Sequence, residues 1–256
     1  KAGAAERMRI DSSGHVGIGV TPSSWPSNGD FKALQIGSGL SLYGRGSGDK
    51  DRVGMTANAY VDVTNDRFEY IGTGHATHYR QSDGTHDFQT AASGSANGAI
   101  TFSTVMSIDN SGAVTMPLQP AFLVNAATMD NVAVNSDVGI TFSTERFDQN
   151  SDFNPSNYTF TAPVTGKYLL TVQILLAPFP IDASYIDIVL RTSNRNTEFL
   201  IDPRSYDQSP AYHTLGGSFL VDMDAGDTSY VDFHQSAGSA STDISNVSFF
   251  SGYLAC

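Results

Sequence analysis

The chain has 256 residues, 40% of them hydrophobic, which is long enough for two modest domains and apolar enough to fold. Only 16% are charged, and the formal net charge of −12 excludes a surface of clustered Lys and Arg that neutralises phosphates. No run reaches the ~18 unbroken apolar residues of a membrane span, because the most apolar stretch, Leu169 to Ile181, is interrupted by Thr171, Gln173, Pro178 and Pro180.

In chain order, Lys1–Ala5 lacks both an initiator Met and an apolar signal region, so the sequence is expected to be a piece of a longer protein. Met8-Arg9-Ile10-Asp11-Ser12-Ser13-Gly14-His15-Val16 follows, and it recurs 98 residues later as Met106-Ser107-Ile108-Asp109-Asn110-Ser111-Gly112-Ala113-Val114, with six of nine positions identical. In each copy Met and Ile alternate onto one strand face, Asp-x-Ser-Gly makes a turn, and Val resumes a strand. Repeated β units that cannot bury their own faces point to a stacked or fibrous architecture.

Between the copies, Gly44-Arg45-Gly46-Ser47-Gly48-Asp49 lacks the Lys-Ser/Thr and the following helix of a phosphate loop and reads as a turn. Two hairpins are expected. One pairs Val61–Val63 with Phe68–Tyr70 across Asn65-Asp66, and the other pairs Tyr79–Gln81 with His86–Phe88 across Asp83-Gly84. His75 and His78 sit three apart on a strand and point to opposite faces, so one chain cannot chelate a metal with both.

Pro117 to Pro120 separates two compositions. Seventeen of the 24 glycines lie before residue 119, whereas 11 of the 15 phenylalanines lie after it. Residues 1–118 are thus expected to form a Gly-rich β segment with too little apolar surface for a core of its own, stabilised by pooling apolar stripes from several copies. Residues 119–256 can fill a conventional core. Phe160, Ala162 and Val164 alternate, Pro163 and Gly166 break the strand, and Tyr168, Leu170, Val172 and Ile174 alternate again. Further strands are expected over Tyr185–Leu190, Gly217–Met223, Tyr230–Phe233 and Val247–Leu254, which suggests a β-sandwich or jelly roll. Asp222, Asp224 and Asp227 surround a turn. Cys256, the one cysteine, cannot staple the chain internally and is expected to be a small buried apolar residue, or to meet its copies where C-termini converge. No Gly-x-Ser-x-Gly elbow or nucleophilic cysteine is present, so no enzyme is expected.

The Met-x-Ile-Asp-x-Ser-Gly-x-Val unit, with Gly17-Ile18-Gly19 after its first copy, resembles units of bacteriophage tail-fibre proteins over residues 1–118. Residues 121–256 resemble the C1q/TNF-like head domain. The resemblance is carried by Ala121-Phe122, by Tyr158-Thr159-Phe160-Thr161-Ala162-Pro163-Val164-Thr165-Gly166-Lys167-Tyr168, by Gly217–Met223 with Gly226-Asp227, and by Ser248–Leu254. It implies an all-β jelly-roll sandwich that assembles as a homotrimer, with the chain entering and leaving at the base. Together the two resemblances imply a tail-fibre tip on a virion that adheres to a bacterial surface glycan or protein receptor. A purely structural trimerising or capsid-decorating role is the alternative, and a capsular depolymerase is a third.

Counting strands back from the C-terminus puts Ala177–Ala183, Asp202–Ala211 and Ser236–Ser245 at the apex. Loops on a rigid scaffold are where recognition usually sits. The ligand-binding candidates are Phe179, Asp182, Arg204, Tyr206 and Asp243, with the aromatic rings suited to sugar faces or protein contacts. No cofactor is expected. Calcium, used by some members of the family, is a minority expectation for the Asp222–Asp227 turn, which lacks a defined ligand spacing.

Overall fold

The structure is a computed structural model that describes residues 6–26, 31–45 and 50–256. Lys1–Ala5 and the Gly46–Asp49 part of the glycine-rich turn lie outside the described residues. The chain divides into two units, 1–118 and 119–256, each with its own core.

The first unit contains β1 (Met8–Ile10), β2 (Val16–Ile18), β3 (Phe31–Ile36), β4 (Leu40–Arg45), β5 (Val53–Ala57), β6 (Ala59–Asp62), β7 (Arg67–Tyr70), β8 (Gly74–Ser82), β9 (Thr85–Gly94), β10 (Ser103–Ile108) and β11 (Val114–Thr115). Nine of these form one sheet in the order β1-β2-β3-β4-β5-β8-β9-β10-β11, and β6 and β7 pair with each other. Both expected hairpins form. At the β8–β9 turn Asp83 and Gly84 have φ of 55° and 78°, the left-handed pair whose twist matches the flanking strands.

The two sequence repeats fold alike. Asp11 Oδ1 accepts from the backbone N–H of Ser13 and His15, both at 2.9 Å, and Asp109 Oδ1 accepts from those of Ser111 and Ala113 at 2.8 and 2.9 Å. Gly14 and Gly112 take φ of 81° and 88°, where a Cβ would be strained. The resulting hairpins, β1–β2 and β10–β11, lie at the two opposite edges of the nine-stranded sheet.

One face of this sheet carries a small aromatic core. Trp25, Phe31, Ala33, Tyr60 and Val61 cluster with Tyr43 and Phe68, so the β6–β7 hairpin and the Trp25 segment cover the face on which Phe31, Ala33 and Tyr43 lie. A second cluster joins Ala59, Tyr70, Ala76 and Ala91 to Ile100 and Phe102. The expectation that this half buries little alone therefore needs qualification: it has a core, on one face.

His78 belongs to that core. It is buried, with its ring 5.1 Å from Phe68 and 5.2 Å from Phe102, and it bonds Tyr43 Oη at 2.7 Å and Gln89 Oε1 at 2.9 Å. Burial pulls its pKa down to about 4. His75 is exposed on the other face, as strand alternation requires.

The second unit contains β12 (Ala121–Asn125), β13 (Asp137–Gly139), β14 (Thr144–Asp148), β15 (Phe153–Asn154), β16 (Thr159–Thr161), β17 (Gly166–Leu176), β18 (Tyr185–Thr192), β19 (Asn196–Ile201), β20 (His213–Met223), β21 (Thr228–Ser236) and β22 (Phe249–Leu254). Two antiparallel sheets, β14-β12-β22-β17-β20 and β15-β16-β21-β18-β19 with β13 on β21, make a jelly roll. Apart from the 3-10 turn Pro203–Ser205, the described residues carry no helix, so the fold is all-β.

The core lies between the sheets. Tyr168, Leu170, Val172, Ile174 and Leu176 of β17 are buried, as are Ile186, Ile188 and Leu190 of β18. Phe122 stacks on Phe153 and Phe160 at 5.4 and 4.7 Å and meets Phe250 edge-on at 5.0 Å. Fully burying each such ring contributes about 1.5–3 kcal/mol relative to exposure. Two expectations fail locally. Val164 is 45% exposed, because β16 ends at Thr161 before Pro163 and the inward alternation stops there. Cys256 is exposed rather than buried, since the closing strand ends at Leu254; only its backbone is engaged, the carbonyl accepting from Lys167 N–H at 2.7 Å.

Candidate binding site at the loop end of the jelly roll

The chain enters and leaves the second unit at one end. Leu254 N–H donates to Pro120 O at 3.1 Å, and Gln119 Nε2 donates to Leu254 O at 2.8 Å. The pairs Leu176–His213, Tyr185–Ser236 and Ile186–Ile201 close the ladders at the other end. Residues 177–184, 202–212 and 237–248 therefore gather there, away from the chain's entry.

These loops are stitched to one another. Ala177 N–H donates to Asp243 O at 2.9 Å, and Phe179 N–H donates to Pro210 O at 3.1 Å. The five candidate residues fare differently in this arrangement. Phe179 is fully buried, stacked on His213 at 4.4 Å and edge-on to Tyr206 at 5.4 Å. It is thus a core residue and offers no ring to a ligand: the 202–212 loop folds over it, which its surface-loop position in the sequence did not disclose. Asp182 accepts from Ser239 N–H at 2.9 Å and Ser239 Oγ–H at 3.0 Å. Asp243 accepts from Asn131 N–H at 2.7 Å.

Arg204 is exposed and forms a two-pronged pair with Asp202, both contacts at 2.9 Å. That hydrogen bond holds the Asp202 carboxyl below the usual carboxylate range. Asp202 also caps the short 3-10 turn by accepting from Arg204 N–H at 3.0 Å. Tyr206 is half-buried with one edge on the core, and Tyr212 is 70% exposed. Arg204, Tyr206 and Tyr212 thus all lie on the 202–212 loop, while Asp182 and Asp243 tie loops together.

Sequence reading missed Gln235. It is fully buried; its Nε2 donates to Ala237 O at 3.1 Å and Ser239 O at 2.9 Å, and its Oε1 accepts from Thr242 Oγ at 2.6 Å. It shapes the third loop from inside, satisfying groups that would otherwise be stranded. The signal was present: Val231, Phe233 and Gln235 alternate inward along β21.

The Asp222–Asp227 turn is at the entry end and is occupied by protein groups. Asp222 pairs with Arg195, and Asp227 Oδ2 accepts from Asn194 Nδ2 at 3.1 Å and Asp224 N–H at 2.8 Å. These carboxylates do not fit the convergent oxygen set that calcium needs. Among the described residues no group of three or more His, Cys, Asp or Glu is placed to hold a metal.

A second polar cluster lies on the outer face of β18 and β21. Arg191 bridges Asp232 and Asp137, and His234 Nδ1 bonds Asp137 Oδ1 at 2.8 Å while its ring stacks on Tyr185. Asp187 beside them is 6% exposed, with Oδ1 unpartnered; burial chiefly, and then Glu198, push its pKa up.

A five-strand and a six-strand sheet in this order define a jelly roll of the C1q/TNF class. The C1q domain family profile matches residues 121–255, and the chain belongs to that family. Similar solved structures include the globular domain of the zebrafish complement 1qA protein, at 17% identity over 54% of this chain and 98% of that one, with a TM-score of 0.41. Murine APRIL at pH 8.0 is 12% identical over 53% of this chain and 98% of its own, with a TM-score of 0.40. Eiger TNF from S. frugiperda is 16% identical over 54% and 94%, with a TM-score of 0.39. No curated protein matches the chain.

Proposed function

We propose that the protein is the tip of a phage tail fibre, carried on the virion, whose C1q-type heads form a homotrimer and bind a glycan or protein on the bacterial surface. The observation that carries the binding reading is the loop end, where cross-bonded loops present Arg204, Tyr206 and Tyr212 away from the chain's entry. A guanidinium and two phenol rings carried on one loop suit sugar hydroxyls, carboxylates or a polar protein surface. The viral context is supported by the duplicated Met-x-Ile-Asp-x-Ser-Gly-x-Val hairpin alone. Trimerisation is supported by the outer face of the β14-β12-β22-β17-β20 sheet, on which Phe147, Leu220 and Tyr253 are 50%, 62% and 49% exposed.

The test is binding of fluorescently labelled full-length protein to a panel of bacterial strains. Saturable binding to some strains, lost in Arg204→Ala and in Tyr206→Ala with Tyr212→Ala, is expected. Binding that both loop variants retain refutes the loop end as the site. The engagement of Asp182, Asp243 and Arg204 in bonds within the chain favours one alternative, a trimerising head without a receptor. A folded trimer that binds no strain supports that alternative.

A further inference from the structure

The nine-stranded sheet of the first unit has a second face, and it is bare. Strand register places its side chains in rows that run from β1 across the sheet as far as β9 and β10. From the β1 edge, Ile10 lies opposite Val16, Val16 opposite Leu34, Leu34 opposite Leu42, and Leu42 opposite Met55. The row continues through Tyr79 and Phe88 to Met106. Two residues along each strand, a parallel row runs through Met8, Ile18, Ile36 and Leu40 to Ala57, Thr77 and Thr90. Neither row contains a charged side chain.

These side chains are open to solvent in the single chain. Ile10 is 65% exposed, Met8 57%, Met55 46% and Phe88 42%. A groove of about 680 Å³ along the face is lined by Val16, Leu34, Leu42, Val53, Met55 and Tyr79. The opposite face, by contrast, is covered by Trp25 and the β6–β7 hairpin.

We infer that this face is the self-association surface of the N-terminal unit, and that its occupant is the same face of the other copies of the chain, three packed about one axis. This inference rests on the homotrimer proposed above and assigns the residues through which the first unit takes part. Two observations select the occupant. The rows hold no charge that would specify an oppositely charged partner, and no Lys or Arg that would draw a lipid headgroup. The two rows are uncharged in a chain of net charge −12, and Lys32, which lines the groove beside them, donates to Ser13 O at 2.6 Å, so the rows are where copies meet without bringing like charges together. Its size is that of a contributory contact: the rows cross seven gaps of about 4.8 Å and are about 14 Å deep, about 470 Å² per copy, so each pair of three copies removes about 470 Å² from water, less than a specific interface needs by itself. The paired repeats fix the length of the face, because their hairpins form its two ends.

Met55 provides the reporter, since it is 46% exposed in the single chain and lies in the first row. The experiment is peroxide oxidation of the native full-length protein, followed by peptide mass spectrometry, alongside its solution mass by light scattering. Expected is a threefold mass with Met55 oxidised at least tenfold more slowly than in the denatured chain. A threefold mass with Met55 oxidised at the denatured-chain rate overturns the inference and leaves the trimer standing. A monomeric mass removes the trimer, and this surface with it. As a second reading, Leu42→Lys with Met55→Lys is expected to speed amide exchange in β4, β5 and β8 at least tenfold, whereas Thr73→Lys, at an exposed position off the rows, leaves it unchanged. Equal exchange in all three proteins contradicts the inference.

Discussion

Among the described residues, 26 buried apolar side chains belong to the C-terminal unit and nine to the N-terminal one, although the two are of similar length. The jelly roll closes two sheets over each other, so every inward position of β17 finds a partner within the chain. The nine-stranded sheet has one face covered by a hairpin and a tryptophan and the other covered by none of the described residues of its own unit. One unit is complete as a core, and the other has one face left for neighbours. The difference follows from composition: 11 phenylalanines serve the second half and four the first.

The largest test of this contrast is core truncation. Phe250→Ala leaves a cavity among Phe122, Phe142 and Phe153 and is expected to cost about 3–5 kcal/mol, confined to the C-terminal transition in calorimetry. Trp25→Ala, which strips Phe31, Tyr43 and Tyr60 of a shared ring, is expected to lower only the N-terminal transition. If either substitution moves both transitions equally, the units are not separate cores.

Next in size is acid. His78 is held neutral in the first unit's core, with its pKa drawn from 6.5 to about 4. The folded state thus binds fewer protons than the unfolded chain between those values. Stability is full above pH 6.5 and falls as pH drops from 6.5 towards 4, by at most about 3 kcal/mol. Titration of the N-terminal melting temperature checks this, and His78→Gln is expected to flatten the slope. An unchanged slope in that variant assigns the acid sensitivity elsewhere.

Smaller again is Asp187 on the outer face of β18. Its pKa is raised, so ionisation costs stability as pH climbs through the folded value, and the neutral form is the one the fold favours. Asp187→Asn is expected to stabilise the C-terminal unit at pH 7 by about 1 kcal/mol and to lose that advantage in acid. Comparable in size is the effect at the repeats: Gly112→Ala, at φ 88°, is expected to cost about 1–2 kcal/mol in the N-terminal unit alone. No change on chemical denaturation would mean that the turn relaxes freely.

What could be read in the sequence was what is local or periodic. Asp83-Gly84 dictates its turn by backbone preference, and Asp-x-Ser-Gly dictates a loop in which one carboxylate accepts two backbone N–H groups. Alternation along Tyr168–Ile174 marked the core before any partner strand was known. What could not be read depends on distant segments. Phe179 looks like an exposed loop ring until the 202–212 loop closes over it and His213 stacks against it. Asp182 and Asp243 likewise have the composition of a ligand site, yet their acceptors are taken by Ser239 and Asn131. The apolar rows across the first sheet were invisible for the same reason, since they exist only once seven inter-strand registers bring them into line.

The most direct measurement is the solution mass, by light scattering, of the full chain and of residues 119–256 alone. The account predicts three times the 27.3 kDa chain mass for the first and three times its own chain mass for the second. Monomeric masses for both would contradict it, leaving an adhesive head with one binding surface and a sheet whose bare face requires another explanation.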